Sequence, residues 1–249
     1  HATRVLLEGK TATGVEYRRR GKTTCVQVTR EVILSAGAFQ SPQLLMLSGI
    51  GATDELAQHG IPLQHELAGV GKNLQDHVDV IVEYDNPSRQ GISFHYTWLW
   101  CALKGLWQYV WHKRGVLTSN IAESGGFIHS GLAGAAPAHV PDLQLHIFPV
   151  PNTHHGLRLM PAFKGYSCGL MVYDLRPASR GTVSLNSANP LDPPRIDPNF
   201  CAISDDVARL VSGIKLAKNI LTQVPLAPHI GGIITPSLQV QTDEQLAAF

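Results

Sequence analysis

The stretch from Glu31 to Gly51 constrains the fold more than any other part of this sequence. Glu31-Val-Ile-Leu-Ser35 is a short β-branched run that halts at Ala36-Gly37-Ala38, residues small enough to let the backbone turn or a ligand come close. Ser41-Pro42 then predicts a helix start, because the hydroxyl can cap free amides and proline fits the first helical position. Leu44, Leu45 and Leu47 are its expected buried side, and Gly49 and Gly51 end it. A second short helix is predicted from Thr53, with Asp54 and Glu55 where the helix dipole favours negative charge, closing at Gly60. Upstream, Arg4–Leu7 and Thr13–Tyr17 flank a Gly-Lys turn as a hairpin, to which Thr24–Val28 can add a strand. Strand, small-residue turn and helix make an α/β unit.

From Val78 the texture changes. Val78, Val80, Val82 and Tyr84 alternate with Asp79, Ile81 and Glu83, the pattern of a half-buried strand. Similar stretches at Asp142–Phe148, Tyr166–Leu175 and Thr182–Leu185, separated by turn-forming steps, predict an antiparallel sheet covered by helices. One helix is predicted to be capped by Ser204, with Asp205 and Asp206 in its first turn and a stripe at Val207, Leu210, Val211, Ile214, Ala217 and Leu221. Thr242-Asp-Glu-Gln245 is a capping box announcing a helix that the sequence barely enters, so the polypeptide is expected to continue beyond Phe249. The expected division is residues 1–77, an α/β region; 78–231, an antiparallel region; and 232–249, the start of a return segment.

The 20 basic residues nearly cancel the 19 acidic ones, which advertises no surface for nucleic acid and leaves a small molecule as the expected partner. Cys25, Cys101, Cys168 and Cys201 are too scattered for a zinc ribbon or a disulfide framework, so reduced thiols and a cytoplasmic location are expected. Between Phe94 and His112 lie Trp98, Trp100, Trp107 and Trp111, interrupted by Lys104 and Gln108 before a membrane-spanning length. That predicts no transmembrane segment but a buried or cleft-covering helix, with peripheral membrane contact as the second reading. Nothing in the sequence fixes oligomeric state, and a homo-oligomer stays open. His154-His155 with His146 fit no standard ligand spacing, so no metal is expected. Asp76-His77 lacks the G-x-S-x-G serine an esterase would need.

The block GAFQSPQLLMLSGIG, Gly37 to Gly51, resembles at every defined position the second signature of the glucose-methanol-choline (GMC) oxidoreductases. VGKNLQDHV from Val70, LRPASRGTVSLNSANPLDPPRIDPNF from Leu175 and the opening hairpin resemble the same family in the same order. IAESGGFIHS near Glu123 and PDLQLHIFPV near His146 are most similar to its choline dehydrogenases. The resemblance implies a partial Rossmann-like, FAD-binding domain over residues 1–77 and a substrate-binding domain over 78–231, oxidising the CH–OH group of a small, choline-like alcohol by hydride transfer to flavin. It implies cofactor contacts at Ala36, Gly37, Ala38, Ser41, Asn73, Asp76 and His77. Two family features have no counterpart here: the G-x-G-x-x-G pyrophosphate cradle, since Asp54 stands where a third glycine would follow Gly49 and Gly51, and the His-Pro motif whose histidine is the expected base. The base is therefore expected beyond Phe249, and the chain alone is expected to be inactive and to bind FAD weakly.

On Leu143–Phe148 the leucines and Ile147 share one face, which turns Gln144, His146 and Phe148 to the other. His146 is the candidate for holding the alcohol oxygen, with a hydrogen-bonded structural role as the alternative. Glu123, beside Phe127, offers what a quaternary ammonium would need, against the bland reading of a solvated carboxylate; Asn120 could line the same cavity. Arg176 and Arg180 are expected to brace a turn by pairing with carboxylates such as Asp174. Rival readings are an oxidase or dehydrogenase for aliphatic, aromatic or sugar alcohols, and a non-catalytic binding or scaffold protein.

Overall fold

A computed structural model describes residues 1–91, 93, 98–122, 124–132, 137, 139–152 and 165–249, with Trp98, Leu99 and Cys101 described by backbone alone. In chain order the elements are β1 (Ala2–Glu8), β2 (Thr11–Arg19), β3 (Lys22–Gln27), α1 (Gly37–Leu47), β4 (Ile50–Gly51), α2 (Thr53–Gln58), β5 (His65–Glu66) and β6 (Asp79–Asp85). There follow α3 (Trp98–His112), β7 (Ser124–Ile128), β8 (Leu143–Phe148), β9 (Ser167–Asp174), β10 (Thr182–Ser184), β11 (Arg195–Asp197), α4 (Ser204–Leu221), β12 (Ile233–Thr235) and α5 (Asp243–Ala248). Two compact units result, His1–Asp76 with Ser179–Ala202, and His77–Ala178 with Ile203–Phe249.

In the first unit β1, β2 and β3 form the expected antiparallel meander. Ser48, which closes α1, ties this sheet to the helix: its hydroxyl accepts from the Val5 amide at 2.8 Å and donates to the Leu44 carbonyl at 2.6 Å. Met46, Leu56 and Leu185 make a small core, with Leu47, Ile61 and Val70 against it. Residues 179–202, assigned from sequence to the antiparallel region, pack here instead. Their hairpin β10–β11 is held by the Val183 amide donating to the Gly71 carbonyl at 2.7 Å, at a spot where only glycine fits because a Cβ on Gly71 would strike the Val183 carbonyl.

Two expectations for this unit fail for identifiable reasons. Glu31–Ser35 is no strand, since no described backbone pairs with it and Ile33 stands 77% exposed. A strand exists only through a neighbour, and β-propensity supplies none. Helix α1 begins four residues before Ser41, because Gly37, at φ +82°, makes the turn into it, and the Ser41 hydroxyl instead accepts from the Ala36 amide at 3.0 Å. Its buried side is Gln43, Leu44 and Met46, with Leu45 and Leu47 half-buried.

The second unit is a five-stranded antiparallel sheet in the order β12-β6-β9-β8-β7. Helix α4 lies on one face, where Val82, Tyr84, Leu143, Leu145, Leu170 and Val172 pack against Val211, Ile214, Ala217 and Leu221. Gly213 allows this approach, because a Cβ there would strike a methyl of Val172. At the end of α4, Arg209 is enclosed with two fully buried carboxylates. Its guanidinium grips Asp174 with two bonds of 3.0 and 2.9 Å and reaches Asp206 at 2.5 Å. Burial by itself would lower the Arg209 pKa, but the Asp174 hydrogen bonds and the two negative charges outweigh it and hold the guanidinium above its ordinary value. The carboxylates also fix the following loop, Asp174 accepting from the Arg176 amide at 3.1 Å and Asp206 from the Ala178 amide at 2.7 Å. Arg209, which sequence reading did not single out, is thus the arginine that grips Asp174.

Other expectations shift here too. Strand β6 is buried on both faces rather than one, with Ile81 and Glu83 as enclosed as Val82 and Tyr84. Ile203, not Ser204, occupies the cap position of α4, and no side chain caps it. The Thr242 capping box is present, its hydroxyl accepting from the Gln245 amide while Gln245 accepts from the Thr242 amide. Residues 233–235 and α5 belong to this unit, where the sequence suggested a separate return segment. Helix α3 exists as expected but is not buried: Trp100 is 76% and Trp111 72% exposed. Among the described residues no helix is long and apolar enough to cross a membrane.

Candidate functional site

Side chains alternate across a sheet, so sealing one face beneath α4 turns the intervening residues of every strand to the other. The antiparallel register sets those residues in rows. Asp79, Tyr173, Gln144 and Phe127 lie side by side across β6, β9, β8 and β7. In the next row stand Ile81, Met171, His146 and Gly125, and in the third Glu83, Gly169 and Phe148.

The centre of this face is polar and half-buried. Gln144 Nε2 donates to His146 Nε2 at 2.6 Å, and the imidazole tilts against the Tyr173 ring with centroids 5.2 Å apart. Tyr173 donates to Met171 Sδ at 3.1 Å, and burial, then the Asp79 charge, pushes its pKa up, so it is held as a neutral phenol. Gly125 leaves the imidazole its room, because a Cβ there would stand 3.1 Å from His146 Cδ2 and crowd the Leu145 carbonyl. Glu83 is 2% exposed and accepts from the Ser167 hydroxyl at 2.5 Å and the Asn152 amide at 3.2 Å.

The substrate-side residues expected from sequence are placed unequally. His146 and Gln144 share the face as the strand pattern required. Phe148 shares it but is 2% exposed and packs over Gly169, so it builds the wall. Asn120 is exposed in the loop before β7, while Glu123, like His154 and His155, falls outside the described residues. Tyr173, Met171 and Asp79 were not singled out by sequence reasoning, since only the strand register brings them beside His146.

In the first unit, Ala36, Gly37 and Ala38 are all exposed at the start of α1, no side chain caps that end, and the space where a Gly37 Cβ would project is open. Amides of an uncapped first turn beside residues without bulk suit a phosphate or a ring edge, so these residues fit a dinucleotide such as FAD. Ser41 braces that turn through Ala36. Asn73, exposed at φ +64°, belongs to the loop 70–76 that is stitched to the 179–183 segment: Leu74 and Gly181 exchange both backbone hydrogen bonds, at 3.0 and 2.8 Å. Asp76 and His77 are exposed at the division between the units. Among the described residues no group of His, Cys, Asp and Glu could hold a metal ion.

Comparison with known proteins fits this layout. Residues 1–79 and 177–249 match the N-terminal and C-terminal profiles described as GMC oxidoreductase. The chain is 42% identical to an alcohol dehydrogenase [acceptor] of Pseudomonas putida, over 100% of this chain and 44% of that protein. It is 38% identical to the mitochondrial choline dehydrogenase of Homo sapiens, over 99% of this chain and 40% of that one. A solved formate oxidase of Aspergillus oryzae, studied for modification of its FAD, superposes with a TM-score of 0.84 at 25% identity, covering 100% of this chain and 47% of the other. The chain therefore spans less than half the length of these relatives.

Proposed function

Because this chain belongs to the GMC oxidoreductase family, we propose that it provides part of the flavin domain and most of the substrate face of an FAD-dependent alcohol oxidoreductase acting on a small, choline-like alcohol. The row of Asp79, Tyr173, Gln144 and Phe127 beside His146 is the observation that carries this reading. Bound FAD would supply the hydride acceptor, held in part by Ala36, Gly37, Ala38 and the loop of Asn73, Asp76 and His77.

The task of His146 follows from its partner. With Nε2 accepting from Gln144, the neutral ring carries its proton on Nδ1 and has no lone pair left to act as a base. It donates to the alcohol oxygen and positions it, while another group takes the hydroxyl proton. Asp79 and the faces of Tyr173 and Phe127 provide negative charge and π surface for a quaternary ammonium, and Glu123 and Asn120 are proposed as further substrate-binding residues. The scattered spacing of the four cysteines is what suggests a reducing, cytoplasmic setting.

A second reading, an aliphatic or aromatic alcohol, is favoured by the apolar Ile81 and Met171 in the His146 row and by the Pseudomonas putida relative. Turnover of choline, benzyl alcohol and a medium-chain alcohol by the full-length protein with an artificial acceptor separates the two. Asp79→Asn and Glu123→Ala should each lower kcat/KM for choline alone. Equal losses on all three alcohols would refute the ammonium role.

A further inference from the structure

The open face of the five-stranded sheet carries a buried acid for which holding the alcohol oxygen gives no task. Glu83 stands in β6 two residues beyond Ile81 and is almost fully enclosed. Its cross-strand neighbour Gly169 has no side chain, and Phe148 packs over that glycine. One oxygen, Oε1, accepts from both the Ser167 hydroxyl and the Asn152 amide. Both donors are neutral, and among the described residues no lysine, arginine or histidine pairs with this carboxylate. Other buried acids are spent on the fold: Asp174 and Asp206 share Arg209, and Asp142 gives both its oxygens to Ser130, outside the strands. Holding a charge away from water without an opposite charge costs stability, and a neutral glutamine offers Ser167 and Asn152 the same acceptor. The charge itself therefore calls for a use.

Its place in the sheet supplies one. Strand rise sets Glu83 about 7 Å along β6 from Ile81, and Asp79 the same distance away on the other side. The row of Ile81, Met171 and His146 therefore runs between two carboxylates. The Glu83 charge reaches beyond its own strand: burial first and then this charge push up the thiol of Cys168 on β9. We propose that Glu83 is a specificity-determining residue that acts at a distance, its buried charge favouring a cationic alcohol over the His146 row without touching it. This rests on the choline-like reading above and adds a second charge to that of Asp79. Over about 8 Å, at an effective dielectric constant of about 20 to 40, one such charge favours a cation by about fivefold to thirtyfold.

The test is steady-state kinetics of the full-length protein with choline and with 3,3-dimethylbutan-1-ol, its neutral isostere, so that the two substrates differ in charge and little else. Wild type is expected to prefer choline. Glu83→Gln keeps an acceptor for Ser167 and Asn152 and drops the charge. In that variant KM for choline should rise about fivefold or more, while KM for the isostere, kcat for both and resistance to urea should hold. Glu83→Asp keeps the charge and shortens its reach, so it should lose stability and still prefer choline; it also decides the matter if the glutamine variant does not fold. A choline preference that survives undiminished in Glu83→Gln overturns the proposal and leaves the choline-like reading intact. A wild type that does not prefer choline overturns both. Equal losses on the two alcohols in Glu83→Gln, or a preference that disappears in Glu83→Asp in step with stability, would make Glu83 a brace for Asn152 and Ser167 and overturn the role of its charge.

Discussion

The two faces of the five-stranded sheet are made by the same strands and differ in almost everything else. Beneath α4 the side chains are mostly aliphatic and close-packed, and the charges buried there on Arg209, Asp174 and Asp206 satisfy one another. On the opposite face, alternate residues of the same strands place an imidazole, an amide, a phenol, a thioether and a carboxylate within two rows, half-buried. A sheet can devote one side to stability and free the other for chemistry, and the alternation of side chains keeps the two roles apart.

This contrast can be broken most forcefully at the buried ion cluster. Asp174→Ala leaves Arg209 short of its bidentate partner inside the protein, and about 3–5 kcal/mol of unfolding free energy should be lost in urea titration. A loss under about 1 kcal/mol would mean that water reaches the cluster. Next in size, Gly213→Ala puts a methyl against Val172 under α4, which should cost about 1–3 kcal/mol despite the better helix propensity of alanine; a stabilised variant would show α4 to be loosely seated.

Ionisation sharpens the comparison further. Burial and then the Glu83 charge push the Cys168 thiol up, while burial raises Tyr84, and burial with Asp79 raises Tyr173. Groups whose folded pKa is raised contribute stability that is intact below their ordinary values and is lost as pH climbs through the folded ones. Stability should therefore decline on the alkaline side, and iodoacetamide should label exposed Cys25 well before Cys168, which becomes reactive only on unfolding. Comparable labelling rates would place Cys168 in contact with solvent. The smallest effect belongs to the open face: Phe127, 61% exposed, should tolerate replacement by serine within about 0.5 kcal/mol of stability. A larger loss would show that this edge of the face is packed.

How much of this was legible in the sequence depended on how local the cause was. The Thr242–Gln245 capping box, the helix stripe from Leu210 to Leu221 and the opening meander follow from neighbours a few residues apart, and all are present. Glu31–Ser35 reads as strongly β as Asp79–Asp85 does, yet only the latter is flanked by strands, β9 and β12, and only it is a strand. Family-like glycines also divide by long-range causes. Gly71 and Gly181 admit the backbone of Val183 and Asp197, whereas Gly37 opens onto space where a ligand could approach.

For the candidate site, strand alternation was enough to set His146 and Gln144 on one face. It could not supply Tyr173 or Asp79, which arrive beside them through pairing of β8 with β9 and of β9 with β6. Arg209 escaped notice for the same reason, being 35 residues from the Asp174 it grips. The exposure of α3 was hidden as well, since an apolar helix face looks the same in sequence whether protein or solvent lies against it.

The most direct test of the account is steady-state kinetics of the full-length protein carrying His146→Ala, with urea unfolding measured on the same preparation. A group that donates to the alcohol oxygen from the open face should, when removed, cut kcat/KM by about tenfold to a hundredfold while unfolding stays close to wild type. Unchanged kcat/KM, or a loss of activity matched by a loss of stability, would contradict the assignment of this face to the substrate.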